Sequence, residues 1–415
     1  MKKHLMLLLC FGSAMANANA EPGVGLEAAL TAALSSHPAV AVKQAGVRAK
    51  GFAGDTARSQ RYPSLVAQVQ QAVTGPNDAY ANPITLRARQ PLWSFGRIDN
   101  NIAYADADML AEQLDLQRVR RQLIDSTAVA YAKVLGSLQR QRMAVDNLAE
   151  HEALHQQIHR RQLGQLASAA DVRLAAARVA QAKAMQQRYD GERSLAETEL
   201  LALTQVTVVA IAEVQAQLLP TLTAPELDDL AQRSSAELRY KQQLIELARA
   251  NAAQARSAAM PTVYLQAERN TGAGQTPGLP RIGVLIEASL DGMGLATKGR
   301  SAESEARLAA AEEDLRVSRN ELSRSLKSLW QSRQMQAGLM AAQLESTQAV
   351  TDLLASYQRQ YAAGTKAWMD VLNIQRELTE QRLQWAQASN DWLIHSLRLS
   401  AMTAGLDAAA GLPKD

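Results

Sequence analysis

Cysteine is almost missing from this sequence: the one example, Cys10, sits in an apolar run near the start. Met1-Lys2-Lys3, the apolar residues 5–11 and Ala18-Asn19-Ala20 form the charged, hydrophobic and small-residue regions of a bacterial secretory signal peptide, residues 1–20. Cleavage after Ala20 leaves a chain without thiols, which excludes disulfides and thiolate chemistry. Leu7-Leu8-Leu9 before Cys10 lacks the small residue of a lipoprotein site, so no lipid anchor is expected. Charge of one sign is also lacking. The chain carries 44 Lys and Arg against 41 Asp and Glu, and losing Lys2 and Lys3 lowers the net charge from +3 to +1. Such a balance gives no case for nucleic acid as a partner. No later stretch of 18 apolar residues occurs, so a membrane-spanning helix is excluded and membrane residence would require a β-barrel. There is no G-x-x-x-x-G-K-[ST] loop to bind ATP.

Proline is scarce where it matters. None of the twelve prolines lies between Pro91 and Pro220, or between Pro280 and Pro413. A proline inside a helix costs about 3 kcal/mol, so both gaps can be continuous helix. Ala, Leu, Gln, Arg and Glu fill them. A helix of about 60 residues would run about 90 Å, which implies a coiled coil or helical array. Leu339, Leu344, Val350, Leu353, Leu354, Tyr357 and Tyr361 keep mostly to coiled-coil steps.

The chain also repeats. Shifted by 198 residues, Lys43, Ala57, Arg58, Ser59, Pro63 and Gly96 fall on Lys241, Ala255, Arg256, Ser257, Pro261 and Gly294. One further residue places Asp171 on Asp370. Two copies of one unit are expected, over 21–220 and 221–405, with a short tail at 406–415. Each copy reads as helix, strand pair, very long helix, turn and return helix. The strands are expected near 64–74, 84–93, 262–270 and 281–290, with turn-rich segments at 75–83 and 271–280. Leu65, Ala67 and Val69 alternate with Ser64 and Gln68, and Ile84, Leu86 and Ala88 alternate with Thr85, Arg87 and Arg89. One apolar and one charged face suit a barrel with lipid outside, though they would suit a half-buried soluble sheet as well. Four strands cannot close a wide barrel alone.

Another motif points elsewhere. His151, Glu152 and His155 form H-E-x-x-H on a helix, with His159 four residues on. That spacing serves zinc metallopeptidases. An elongated coil offers no closed cleft or third ligand, so these residues are expected to be solvated helix positions near the tip, titrating near pH 6.5.

The segments 35–65, "QPLWSFGRI" (90–98), 160–184 and 357–383 resemble the TolC family of bacterial outer-membrane efflux and secretion channels. The resemblance covers nearly all of the mature chain. It implies a mainly α fold with a small β part. Three copies would form a long helical tunnel across the periplasm and a transmembrane barrel of four strands per chain. Residues 206–225 and the tail after Gly405 would form an equatorial band. The family implies a homotrimer in outer-membrane lipid, working with a periplasmic adaptor and an inner-membrane transporter. It implies no cofactor and no catalysis. The ABC type of transporter, in type I protein secretion, is expected, with small-molecule efflux as the alternative.

Residue by residue, the resemblance places Asp370 at a constriction of the periplasmic mouth, with Asn373 where a second aspartate is common. Asp171, Tyr361 and Lys366 match a latch between the coils, and lysine stands there where arginine is usual. Asp171 and Asp370 could equally be helix N-caps after tight turns. Gly164 and Gly364 fall in the turns, where glycine would relieve a left-handed backbone; these tips would meet the adaptor. Arg87 and Arg89 are expected to line the barrel lumen. Trp368, Trp385 and Trp392 read as packing residues, and Trp93 as packing or a membrane-boundary aromatic.

Overall fold

The computed structural model describes residues 25–69, 84–207, 211–271, 279–288 and 294–413. The signal peptide and the strand ends at 70–74 and 289–290 lie outside them. Helices dominate. Short α1 (Leu26–Ser36) and longer α2 (Pro38–Ser59) lead to strands β1 (Ser64–Val69) and β2 (Ile84–Trp93). The long α3 (Arg97–Leu163) and its return α4 (Ala169–Thr204) follow. The order then recurs: α5 (Ala224–Ser234), α6 (Ala236–Ser257), β3 (Thr262–Thr271), β4 (Arg281–Glu287), α7 (Leu295–Ala362) and α8 (Trp368–Met402).

Both proline-free gaps open into one unbroken helix, of 67 residues in α3 and 68 in α7. At 1.5 Å per residue each spans roughly 100 Å. Each half begins with two helices rather than the expected one. In the first half the break comes from Pro38, which favours the first helical position and drives His37 extended (ψ 129°). The His37 ring then caps α2 by accepting from the Ala39 amide. Gly96 and Gly294, 198 residues apart, start α3 and α7 with φ +83° and +87°, a region open to glycine.

The main core sits halfway along α3. Ile124, Ala128, Tyr131 and Val134 are buried against α1, the end of α4, the end of α8 and the segments around Leu218 and Leu406. Tyr131 donates to the Ala212 carbonyl, and burial pushes its hydroxyl up to about 12. The tail docks here through a pair that sequence inspection did not single out: Arg121 meets Asp407 at 2.6 Å, both largely buried, and also donates to the Ser234 carbonyl. Above this level α3 packs α2 and α6; below it, α4 and α8.

The strands form one antiparallel sheet in the order β1-β2-β3-β4, with β2 and β3 joining the two halves. Leu65, Val69, Ile84, Leu86, Ile282, Val284 and Ile286 share one face and are all at least 42% exposed. On the other face Arg87 pairs with Glu268 at 3.1 Å, and Arg89 reaches Gln266 and Glu287. Trp93 is exposed at the end of β2, edge-on to Phe95. Among the described residues no helix is long and apolar enough to cross a membrane.

Candidate functional site at the helix-turn-helix tips

The far ends of α3 and α7 turn back through loops of one design. Each helix closes with an amide reaching five residues back: Leu166 to the Arg161 carbonyl at 2.8 Å, and Thr365 to the Gln360 carbonyl at 3.0 Å. Such closures need one residue in the left-handed region. In the second turn that residue is Gly364, at φ +77°. In the first it is Gln165, at φ +60°, whereas Gly164 has φ −85°. The expectation for Gly164 is thereby corrected: it occupies the preceding position, where any residue fits.

Ser168 starts α4. Its hydroxyl accepts from the Asp171 amide, while the Asp171 carboxylate accepts from the Ser168 amide and hydroxyl at 2.9 and 2.7 Å. This is a capping box, and Asp171 is its third helical residue rather than the N-cap. The other carboxylate oxygen accepts the Trp368 indole N–H at 2.7 Å. The Ser168 hydroxyl, then Trp368 and the Ser168 amide, hold the Asp171 carboxyl below its usual range.

Asp370 stands at the same position of α8, again not the N-cap. The residue before α8 is Ala367, which has no side-chain acceptor. The Asp370 carboxylate is therefore unclaimed by a cap and is 42% exposed, with the Lys366 ammonium 3.9 Å away. Lys366 also lies over the Tyr357 ring, at 4.5 Å. Asn373 is exposed one turn on.

The hairpins are clamped together by an indole and a guanidinium. Trp368 is buried with Ile158, Ala175 and Leu372. Tyr361 bridges this cluster and that of Leu354, Val371 and Leu378, and Arg161 stacks over its ring at 4.1 Å. Within one chain, then, Asp171 meets Trp368; Tyr361 meets Arg161; and Lys366 meets Asp370 and Tyr357. The Trp368–Asp171 link had no signal in the sequence, since its partners are 197 residues apart.

About three to four turns above the tip α3, α4 and α8 meet. Thr379 donates to Asn147 at 2.9 Å, and Gln375 to Glu150. Burial pushes the Glu150 carboxyl up. His151 lies in this junction, only 8% exposed, which corrects the expectation of a solvated position. Burial first, and then Arg178, push its imidazole below the usual value. Folded His151 therefore resists protonation that the unfolded chain accepts, and its contribution to stability falls as pH drops below 6.5. Glu152 is exposed on another side of α3, and the His155 and His159 rings stand 6.5 Å apart. Among the described residues no group of three or more His, Cys, Asp or Glu could hold a metal ion.

The chain matches the family described as outer membrane efflux protein over residues 29–205 and 227–405. No curated protein matches it. Solved structures share its fold. The outer-membrane channel OprN is 20% identical, with a TM-score of 0.76 over 92% of this chain and 90% of that one. The outer membrane protein VceC of Vibrio cholerae is 17% identical, at 0.76 over 94% and 97%. The open-state MtrE outer membrane channel of Neisseria gonorrhoeae is 17% identical, at 0.72 over 94% and 90%.

Proposed function

This chain belongs to the outer membrane efflux protein family, and from that premise we propose that it is the passive exit duct of a tripartite export system, opened at its helical tips. The family comprises outer-membrane channels that extend into the periplasm, not enzymes. The observation that carries the duct reading is the sheet: its apolar face is bare and broken only by Arg269 near the end of β3, its charged face carries the Arg87–Glu268 and Arg89–Glu287 pairs, and four strands cannot close on themselves. Three copies would supply a closed barrel with lipid outside, and the roughly 100 Å helices would carry the passage onward. Arg87 and Arg89 would then line the lumen.

At the tip, Asp370 is the constriction residue in this reading. Its freedom from a capping partner supports that role, and three such carboxylates on one axis would favour cations. Asn373 would stand beside it as a neutral neighbour. Asp171, Tyr361 and Lys366 would form the latch, with Trp368 and Arg161 as their partners inside the chain. The turns at Gly164 and Gly364 would meet the adaptor. The finer reading is type I protein secretion with an ABC transporter: Cys10 lacks a lipoprotein setting, which resembles the family's secretion members more than its lipidated drug-efflux branch. Membership of the outer membrane efflux protein family supports small-molecule efflux as the second reading.

Purified protein in detergent should be trimeric and should open discrete conductances in planar lipid bilayers. A stable monomer without conductance would end the duct reading. Deletion of the gene tells the cargoes apart: lost secretion of a protein points to type I export, and raised sensitivity to small toxic compounds points to efflux.

A further inference from the structure

A cavity of about 310 Å³ opens at the α3–α4–α8 junction, about three to four turns above the tip. Its lining is electrostatically one-sided. Arg178 and Arg188 reach it from α4 and Arg376 from α8, against a single carboxylate, Glu380 of α8. Arg178 donates to Gln181, and Arg188 to Tyr189, with Glu192 3.6 Å away; no ion pair links any of the three to Glu380. Glu192 offsets part of the Arg188 charge from outside the lining, and Glu380 alone faces three guanidiniums, so the lining keeps a net positive charge.

The floor of the cavity holds two polar groups that burial should have satisfied. His151 is over nine-tenths buried, and its Nδ1 has no hydrogen-bond partner among the described residues. Asn147 is 5% exposed; its amide oxygen is satisfied by Thr379, but its N–H₂ finds only the Met185 sulfur at 3.9 Å. A buried polar group left unmatched costs about 1–3 kcal/mol, so such a pair beside three guanidiniums marks a place for an acceptor.

We propose that this cavity is a binding site for a small multivalent oxyanion, of the sulfate, phosphate or polycarboxylate class, held by Arg178, Arg188 and Arg376 and by the Asn147 amide and His151. Planar guanidiniums match oxyanions in paired hydrogen bonds, which suits this ligand class better than halide. His151 adds a proton linkage. The groups facing it are Arg178 and Arg188 from α4 and Arg376 and Glu380 from α8, a net positive set that disfavours the imidazolium. A bound dianion reverses that sign, so binding takes up a proton and strengthens as pH falls below neutrality. The site is independent of which cargo the channel carries.

Sulfate is the probe, because its charge is constant from pH 5.5 to 7.5. Calorimetric titration of the intact detergent-solubilised protein should show saturable sulfate binding, at least threefold tighter at pH 5.5 than at 7.5. Chloride at equal ionic strength should not compete. Arg376→Gln, an exposed position whose change leaves the fold intact, should weaken binding about tenfold, and Arg178→Gln likewise. His151→Gln should retain binding but lose its pH dependence. Absence of saturable binding, equal displacement by chloride, or unchanged affinity in both arginine variants would overturn the site.

Discussion

Asp171 and Asp370 occupy the same step of two equivalent helices, yet one neighbouring residue separates their chemistry. Ser168 draws Asp171 into a capping box, and Ala367 leaves Asp370 outward. The sequence suggests Asp171 as an N-cap, but the cap is Ser168 and Asp171 is the third residue of its capping box. The third partner, Trp368, was not visible there, because only folding brings the hairpins together. The glycines teach a related lesson. The repeat aligns Gly364 with Gln165, not with Gly164, and it is those two aligned residues that take the left-handed conformation. Gly364→Ala should therefore destabilise the tip by about 1–2 kcal/mol, the penalty for a Cβ in the left-handed region, while Gly164→Ala stays within a few tenths. Urea unfolding followed by the fluorescence of the neighbouring Trp368 distinguishes them; equal midpoints would refute the assignment.

At the scale of elements, proline spacing and the repeat made the long helices readable, because one missing residue type over 130 positions is a strong signal. The pairs that brace them were less so. Lys43 of α2 binds Asp115 of α3, and Lys241 of α6 binds Asp314 of α7 at 2.7 Å. The lysines align in sequence, but their acids are about 70 residues away. Burial opposes the Asp115 charge, yet hydrogen bonds from Lys43 and Arg118 outweigh it and hold its pKa low. This brace persists above the ordinary carboxylate range and is lost only in strong acid. The tail's anchor is buried more deeply. Arg121→Ala removes a guanidinium shared by Asp407 and the Ser234 carbonyl, and should cost about 3–5 kcal/mol. Asp407→Asn should cost less, since the amide oxygen still accepts. Chemical denaturation of both variants checks the order; a near-neutral Arg121→Ala would show that the tail is dispensable.

For the whole molecule, the sequence disclosed two halves and a four-stranded contribution, but not how the halves join. That depends on the β2–β3 register, where Arg87 lies opposite Glu268. About half of the apolar stripe on α7 had no visible purpose in one chain: Leu339, Leu344 and Leu353 remain exposed, while Leu354 is buried. Function is likewise collective. A single Asp370 is an ordinary surface carboxylate; only a ring of them can select ions. Asp370→Ala should raise single-channel conductance and lower cation preference in reversal-potential measurements, and an unchanged channel would remove Asp370 from the mouth.

The sheet bears on how the molecule comes to exist. The mid-molecule helical core closes within one copy, although Leu339, Leu344 and Leu353 of α7 stay exposed. The strands cannot finish there: β1 and β4 each leave a row of backbone donors and acceptors open, beside an oily face. A lone copy is therefore half mature and sticky along its upper end. Closing those two edges needs strands from further copies, so the sheet is finished only by assembly.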